Sequence, residues 1–297
     1  MKITGKTKLL GFFANPAEHS QSPLIYNTSF DKLGIDYVYL AFNIPEGKIG
    51  DAVSVMKTLE MRGANVSMPH KQAIIPYLDE VSAIVATCDA VNTVINDNGF
   101  LKGYNTDIVG STKAIESMGV NIEGVNAVIL GLGGAGKAVL TALAMKKAGK
   151  VTVFVRGKNA LLSGEADHSY RAADAMAFVD KIKRNTGVDI EVKDEANLDE
   201  LKEALSTASL LVNCTAIGMG KHEGMSLIPD SSYLHSNLSV MDAIYYPKKS
   251  KLLEQAEEAG CNWKNGIDML LYQGQEAFKL FTGKDFPIDA VRAAFNR

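Results

Sequence analysis

The 297-residue chain switches repeatedly between two apolar rhythms. Leu9 to Ala14 is a short, nearly continuous apolar run and predicts a strand. After the polar loop Asn15 to Gln21, Ser22-Pro23 predicts a helix start, with Ser22 as N-cap and proline in the first turn. Tyr26, Phe30 and Leu33 then share one face, and the helix stops at Gly34. Tyr37 to Phe42 predicts a second strand, Ile49, Val53, Met56 and Leu59 a second helix, and Ala64 to Ser67 a third strand. A helical segment begins after Met68-Pro69-His70-Lys71. Val91 to Ile95 and Phe100 to Tyr104 flank Asn96-Asp97-Asn98-Gly99 and predict a hairpin, so an antiparallel pair joins an otherwise parallel sheet.

A helix over Ile108 to Met118, ended by Gly119, leads to the stretch Asn126 to Ala138, NAVILGLGGAGKA. The apolar run Ala127 to Leu130 enters a turn with glycines at 131, 133 and 136, and an apolar segment at helical spacing, Ala138 to Ala148, follows. In a dinucleotide-binding unit the first glycine permits the turn, the second lets the backbone approach a pyrophosphate, and the third lets helix and strand pack closely. The helix N-terminus then offers its free N–H groups to the anion. The same spacing also occurs in turns of purely structural origin, but here strand and helix stand on the correct sides. Gly131-Leu132-Gly133-Gly134-Ala135 is therefore the candidate cofactor turn.

Further strands near Val151 to Val155, Ile190 to Val192, Leu210 to Asn213, Val240 to Ala243 and Cys261 to Trp263 alternate mostly with helical stretches. That alternation predicts a doubly wound sheet. Ile267 to Phe281 and Ile288 to Asn296 come after the sixth strand and need a surface to cover. The fold class expected is α/β. An N-terminal α/β substrate domain, residues 1–107, is completed by residues 268–297, and residues 108–267 form a doubly wound Rossmann NAD(P)-binding domain. The C-terminal helices return to the first domain and place a cleft between the two.

Composition narrows the partners. A net charge of -3 supplies no basic stripe, so neither nucleic acid nor an anionic membrane surface is expected. Cys88, Cys214 and Cys261 are odd in number and far apart, which implies neither a disulfide frame nor a metal site and fits a reducing cytoplasm. No apolar run approaches transmembrane length, and the Lys2, Lys6, Lys8 start before LLGFFA is too quickly interrupted to read as a signal peptide. Oligomeric state is not legible.

The strand Val151 to Val155 ends in Arg156-Gly157-Lys158, with no acidic residue until Glu165. An acid at that point takes the ribose hydroxyl of NAD, whereas cations suit the 2′-phosphate of NADP. NADP is therefore the expected cofactor, with NAD the alternative. Hydride transfer at an alcohol carbon also needs a proton partner at the oxygen. Lys71, just after a strand and the Met68-Pro69 step, is the leading candidate, with the polar residues Asn92 and Asp107 bordering nearby elements. Asp107 has a competing structural role as N-cap of the helix that follows it.

The loop Asn15 to Pro23, the run Asn65 to Lys71, Ala90-Val91-Asn92-Thr93, Asn105-Thr106-Asp107, the glycine turn, and Gly266-Ile267-Asp268-Met269-Leu270 with Gln273 occur in an order that resembles the shikimate dehydrogenase family. Ser67-Met68-Pro69 and the long loop after the second nucleotide-domain strand are most similar to its quinate/shikimate branch. The resemblance implies reversible interconversion of 3-dehydroshikimate and shikimate, a small polyhydroxylated cyclic carboxylate, with NADP(H). It implies Lys71 as general acid/base with Asp107 beside it. Ser20 and Ser22 would bind the carboxylate with help from Tyr245, and Ser67, Asn92 and Gln273 the ring hydroxyls. Val155, Arg156, Gly157, Lys158, Thr215, Met219, Ala243, Ile244 and Gly266 would flank the cofactor. His19 and His70 lie inside these motifs and are expected in structural or rim roles.

Two departures stand out. Lys158 replaces the acid of NAD-using relatives, and Asp268 replaces the second glycine of the usual Gly-x-Gly-Met. The alternatives are the same chemistry on quinate with NAD, and, from another class, a non-catalytic cofactor-binding regulatory protein. Retention of Lys71 and Asp107 argues against the latter. A folate-type dehydrogenase is disfavoured, because a small hydroxyl-rich binding set would serve a pterin poorly.

Overall fold

The computed structural model describes residues 2–18, 20–159 and 169–295. His19, Glu165 and Asn296, named above, lie outside them. The chain divides into two compact units, Met1–Gly110 with Leu271–Arg297, and Ser111–Leu270.

The first unit carries β1 (Lys8–Ala14), α1 (Ser22–Leu33), β2 (Tyr37–Asn43), α2 (Ile49–Thr58), β3 (Gly63–Val66), α3 (His70–Ala73), β4 (Glu80–Val81), α4 (Ala83–Cys88), β5 (Thr93–Asp97) and β6 (Phe100–Tyr104). They form one sheet in the order β2-β1-β3-β5-β6-β4. Strand β5 runs antiparallel to both neighbours, β3 and β6, while the other pairs are parallel. The start of β5 therefore lies on the same sheet edge as the ends of β1, β3 and β6. Every loop holding a candidate substrate residue of this unit before Gln273 leaves or enters the sheet at that edge.

Strand alternation sorts the core. Ala64 and Val66 of β3, Val94 of β5 and Leu101 of β6 join Ile49, Val53 and Met56 of α2 in an aliphatic cluster. Asn65 and Thr93, lying between them in sequence, face the other side, where the core is aromatic. Tyr26 stacks on Tyr39 with ring centroids 4.4 Å apart, and Phe30 lies 5.6 Å from Phe278. Phe278 belongs to α10 (Ile267–Thr282), which precedes α11 (Ile288–Phe295). These C-terminal helices return to the first unit as expected: α11 packs on α1, and Arg62 donates from Nε to the Phe281 carbonyl at 3.0 Å.

The second unit is a six-stranded, all-parallel sheet. It comprises β7 (Asn126–Leu130), β8 (Lys150–Val155), β9 (Asp189–Asp194), β10 (Leu210–Asn213), β11 (Ser239–Asp242) and β12 (Asn262–Lys264), in the order β12-β11-β10-β7-β8-β9. Helices α6 (Gly134–Met145), α7 (Ser169–Thr186), α8 (Leu198–Thr207) and α9 (Lys251–Glu258) connect strands. Buried on both faces, the central strands β7, β8 and β10 are nearly uniform apolar runs, whereas the edge strands β9 and β12 are mixed and partly exposed. The strand order reverses between β7 and β10, the switch point at which doubly wound sheets take their ligands.

Two local expectations change. Ser22 is not the N-cap: Gln21 holds that position, and Ser22 sits inside the first turn with its own N–H donated to Ser20 Oγ at 3.2 Å. Helix α6 begins at Gly134, inside the glycine turn, rather than after it. The helical segment expected after Lys71 is the single turn α3, which already begins at His70, and the two-residue β4 is too short for a periodicity to reveal.

Because Phe278 is fully buried among aromatic rings, Phe278→Ala should cost about 3–5 kcal/mol in urea unfolding. Phe100→Ala, 51% exposed, should stay within about 0.5 kcal/mol of the parent. Equal losses would mean the C-terminal helices are not seated on this core.

Candidate active site

Lys71 lies in α3, just beyond the end of β3, and Asp107 in the first turn of α5 (Thr106–Glu116), just beyond the end of β6. Their side chains are 22% and 18% exposed, and Lys71 Nζ donates to Asp107 Oδ2 at 2.5 Å. The main chain holds both. Lys71 O accepts from Val91 N at 2.8 Å, and Asn105 caps α5 by accepting from the N–H groups of Asp107 (3.1 Å) and Ile108 (3.4 Å) through Oδ1. The competing role of Asp107 as N-cap thus falls to Asn105, and the carboxylate of Asp107 turns to the lysine.

Around this pair runs a buried network of amides and hydroxyls. Asn92 donates from Nδ2 to Thr106 Oγ1 at 3.0 Å, and its Oδ1 accepts from Thr106 N (2.8 Å) and Thr93 Oγ1 (3.0 Å). Thr106 Oγ1 lies 3.4 Å from Gln273 Oε1, which brings α10 to the same place. Thr93 Oγ1 accepts from Asn65 Nδ2 at 2.9 Å, and Asn65 Oδ1 accepts from the Tyr39 hydroxyl at 2.8 Å. The Tyr39 hydroxyl also meets that of Ser22. Burial first, and the neighbouring Tyr26 hydroxyl second, push the Tyr39 hydroxyl well above the usual phenol range, so both phenols stay neutral donors. Ser67 is half-buried, with its backbone tied to Phe13 O and His70 N. The structure thus joins Ser22, Asn92, Thr106 and Gln273 through one chain of hydrogen bonds. Tyr39, Asn65 and Thr106 are members that their positions in the sequence did not single out. His70 is buried, with Nε2 2.8 Å from the Ile44 carbonyl, a structural contact.

In the second unit, the glycine turn separates packing from ligand. A Cβ on Gly131 would strike Thr215 Cγ2, and one on Gly136 the Gly131 carbonyl oxygen, so the chain's own packing excludes side chains there. A Cβ on Gly133 or Gly134 would meet nothing within 4 Å, and Gly133 has an ordinary φ of -75°. Nothing among the described residues demands glycine at these two positions. The bare backbone they leave opens α6, which has no side-chain cap on its first N–H groups, and Gly133 lines a cavity of about 540 Å³. This fits a pyrophosphate.

Gly131, Leu132, Gly133, Val155, Arg156 and Thr215, singled out in the sequence, line that cavity, and Asp174, Glu195, Ile217 and His222 join them. Arg156 Nε donates to Glu195 Oε1 at 2.7 Å, and Lys158 Nζ to the Val192 carbonyl at 2.6 Å, so neither cation simply projects into solvent. Ala135 lies in the first turn of α6, Gly157 has a φ of +83°, and Met219 is 44% exposed. Ala243 and Ile244 follow β11, anchored by the fully buried Asp242. Asp242 accepts from Ser250 Oγ (2.5 Å), Asn213 Nδ2 (3.0 Å) and Ile244 N (3.0 Å), and burial raises its carboxyl above the usual range. Tyr245, next in the chain, is 38% exposed. At Gly266 a Cβ would collide with the Ala243 carbonyl, its N–H is donated to Ile244 O at 2.9 Å, and its carbonyl retains a lone pair beyond the bond from Leu270 N. Asp268 is paired with Lys264 at 3.0 Å, and Lys264 also donates to Ser117 O at 3.2 Å, so its charge serves to join the start of α10 to the end of α5.

Gly136→Ala should therefore lower the thermal midpoint, whereas Gly133→Ala should leave stability within about 0.5 kcal/mol while weakening dinucleotide binding. Calorimetric titration alongside thermal unfolding checks both. A Gly133→Ala chain that binds normally would remove the pyrophosphate from this turn.

Residues 12–94 match the shikimate dehydrogenase substrate-binding domain, and residues 266–294 the shikimate 5′-dehydrogenase C-terminal domain. The chain is 43% identical over 291 residues to a shikimate dehydrogenase (NADP(+)) of Alkaliphilus metalliredigens, covering 98% of this chain and 97% of that one. It is 39% identical over 292 residues to a quinate/shikimate dehydrogenase of Escherichia coli, covering 98% of each. The crystal structure of shikimate 5-dehydrogenase from Listeria monocytogenes, in complex with shikimate and NAD, superimposes with a TM-score of 0.92 at 37% identity, covering 99% of this chain and 98% of that one. With both sheets, the glycine turn and the Lys71–Asp107 pair in place, the chain belongs to the shikimate dehydrogenase family.

Proposed function

We propose that this chain is an NAD(P)-dependent alcohol dehydrogenase that interconverts shikimate and 3-dehydroshikimate, preferring NADP. The observation that carries the reading is the Lys71–Asp107 ion pair set among neutral hydroxyls and amides. A bound dinucleotide supplies the hydride acceptor or donor. The protein supplies the proton: in reduction the Lys71 ammonium gives one to the ketone oxygen, and in oxidation the neutral amine takes one from the hydroxyl. Asp107 keeps the lysine beside the reacting oxygen and accepts from a ring hydroxyl.

Ser67, Asn92 and Gln273 bond the remaining hydroxyls, and Ser20 and Ser22 take the carboxylate. Neutral donors suit a substrate that must be released after each turnover, and the buried, neutral Tyr39 hydroxyl holds Ser22 in place. The first unit is thus the substrate domain and the second the NAD(P)-binding domain. The names of the relatives at 43% and 39% identity support the substrate class, and that of the first supports the NADP preference. Three free cysteines fit the cytoplasm. No described helix is long and apolar enough to cross a membrane.

A second reading, quinate with NAD, is favoured by one observation, the neutralisation of Arg156 by Glu195. A steady-state matrix of shikimate and quinate against NAD and NADP decides between them, with the highest kcat/KM expected for shikimate with NADP. Lys71→Ala should lower kcat by about a hundredfold or more with little change in substrate KM. Turnover near that of the parent would sink the assignment. Arg156→Ala should raise the KM for NADP far more than that for NAD, and Lys158→Ala, whose ammonium points at a main-chain carbonyl, should matter less.

A further inference from the structure

Strands β8 and β9 are paired in register up to Val155 and Asp194, and one more ladder bond, from Glu195 N to Val155 O at 3.0 Å, extends the pairing past both ends. That bond seats Glu195 beside Arg156. Asp194, just before it, is committed to the backbone, accepting from Asn159 N at 2.6 Å and Ala196 N at 2.9 Å. The segments that carry Arg156 and Glu195 are therefore both held, and the carboxylate has little freedom to withdraw. Glu195 is the better buried partner, 17% exposed against 45% for Arg156, and both line the cavity that begins at the glycine turn. In doubly wound sheets the residue at the end of the second strand reads the ribose of the adenosine half, and Arg156 occupies that point.

We propose that Glu195 sets the cofactor choice of this chain: by neutralising Arg156 it holds down affinity for a 2′-phosphorylated dinucleotide and keeps NAD competitive. The proposal rests on the reading of the second unit as the dinucleotide site. Glu195 has two opposed effects. As an acceptor for Arg156 Nε it orients the guanidinium. As an anion it repels the 2′-phosphate through the same guanidinium. The orientation needs only an acceptor oxygen, which an amide also supplies, whereas the repulsion requires the charge.

Glu195→Gln separates the two, since it keeps the acceptor and removes the charge. On the full chain, titration calorimetry with NADP+ and with NAD+ at fixed low salt should show the NADP+ Kd falling and the NADP+/NAD+ affinity ratio rising by about tenfold, the order expected for one charge close to a phosphate in a partly exposed site. The gain should shrink as salt is raised, because screening weakens a charge effect and not an orientation effect. A parent chain that binds both dinucleotides, with a ratio that Glu195→Gln leaves unchanged or lowers, overturns the proposal alone. A parent chain that binds neither overturns the reading of the site and the proposal with it.

Discussion

Lys71 and Asp107 come from segments 36 residues apart and meet at 2.5 Å in a mostly buried place. Bringing two charges out of water is unfavourable unless both are fixed and paired. Here the fixing is done by main chain and sheet topology. The antiparallel β5 turns its first residues toward the edge where β1, β3 and β6 end, so Val91 can donate to the Lys71 carbonyl and Asn92 can meet Thr106. Were β5 parallel, Asn92 would lie at the opposite edge and the pair would lose its surroundings. Asn105 completes the arrangement by taking the helix cap.

The second unit divides its glycines between two demands. Gly131 and Gly136 let β7 and α6 pack, and Gly133 and Gly134 leave the backbone bare beside the cavity. Because the first pair answers to the protein and the second, on the proposed reading, to a ligand, the four glycines have distinct physical reasons. On the proposed reading, discrimination between cofactors falls to strand ends farther out, where Arg156 and Glu195 face each other.

Much of this was legible in the sequence. The strands of both sheets, the hairpin, the glycine turn and the return of the C-terminal helices followed from apolar period and turn residues, and the motifs around Lys71, Asn92 and Asp107 marked one site. What stayed hidden depends on partners distant in the chain. Asn105 and Asp107 are both good caps, and spacing alone cannot say which side chain turns inward. Tyr39 looks like any aromatic on a core strand until Asn65 and Ser22 are seen at its hydroxyl. Glu195 lies 39 residues beyond Arg156 and becomes its neighbour only through strand pairing. Asp268 had a readable clue, Lys264 four residues before it, but the third member, Ser117, comes from the turn that follows α5.

The central claim is that Lys71 and Asp107 act as one unit rather than as two independent contacts. A double-mutant cycle on kcat/KM with Lys71→Ala, Asp107→Ala and the combined variant measures this directly. If they act together, the combined variant should fall no more than about tenfold below the poorer single variant. Losses that multiply in full would contradict it.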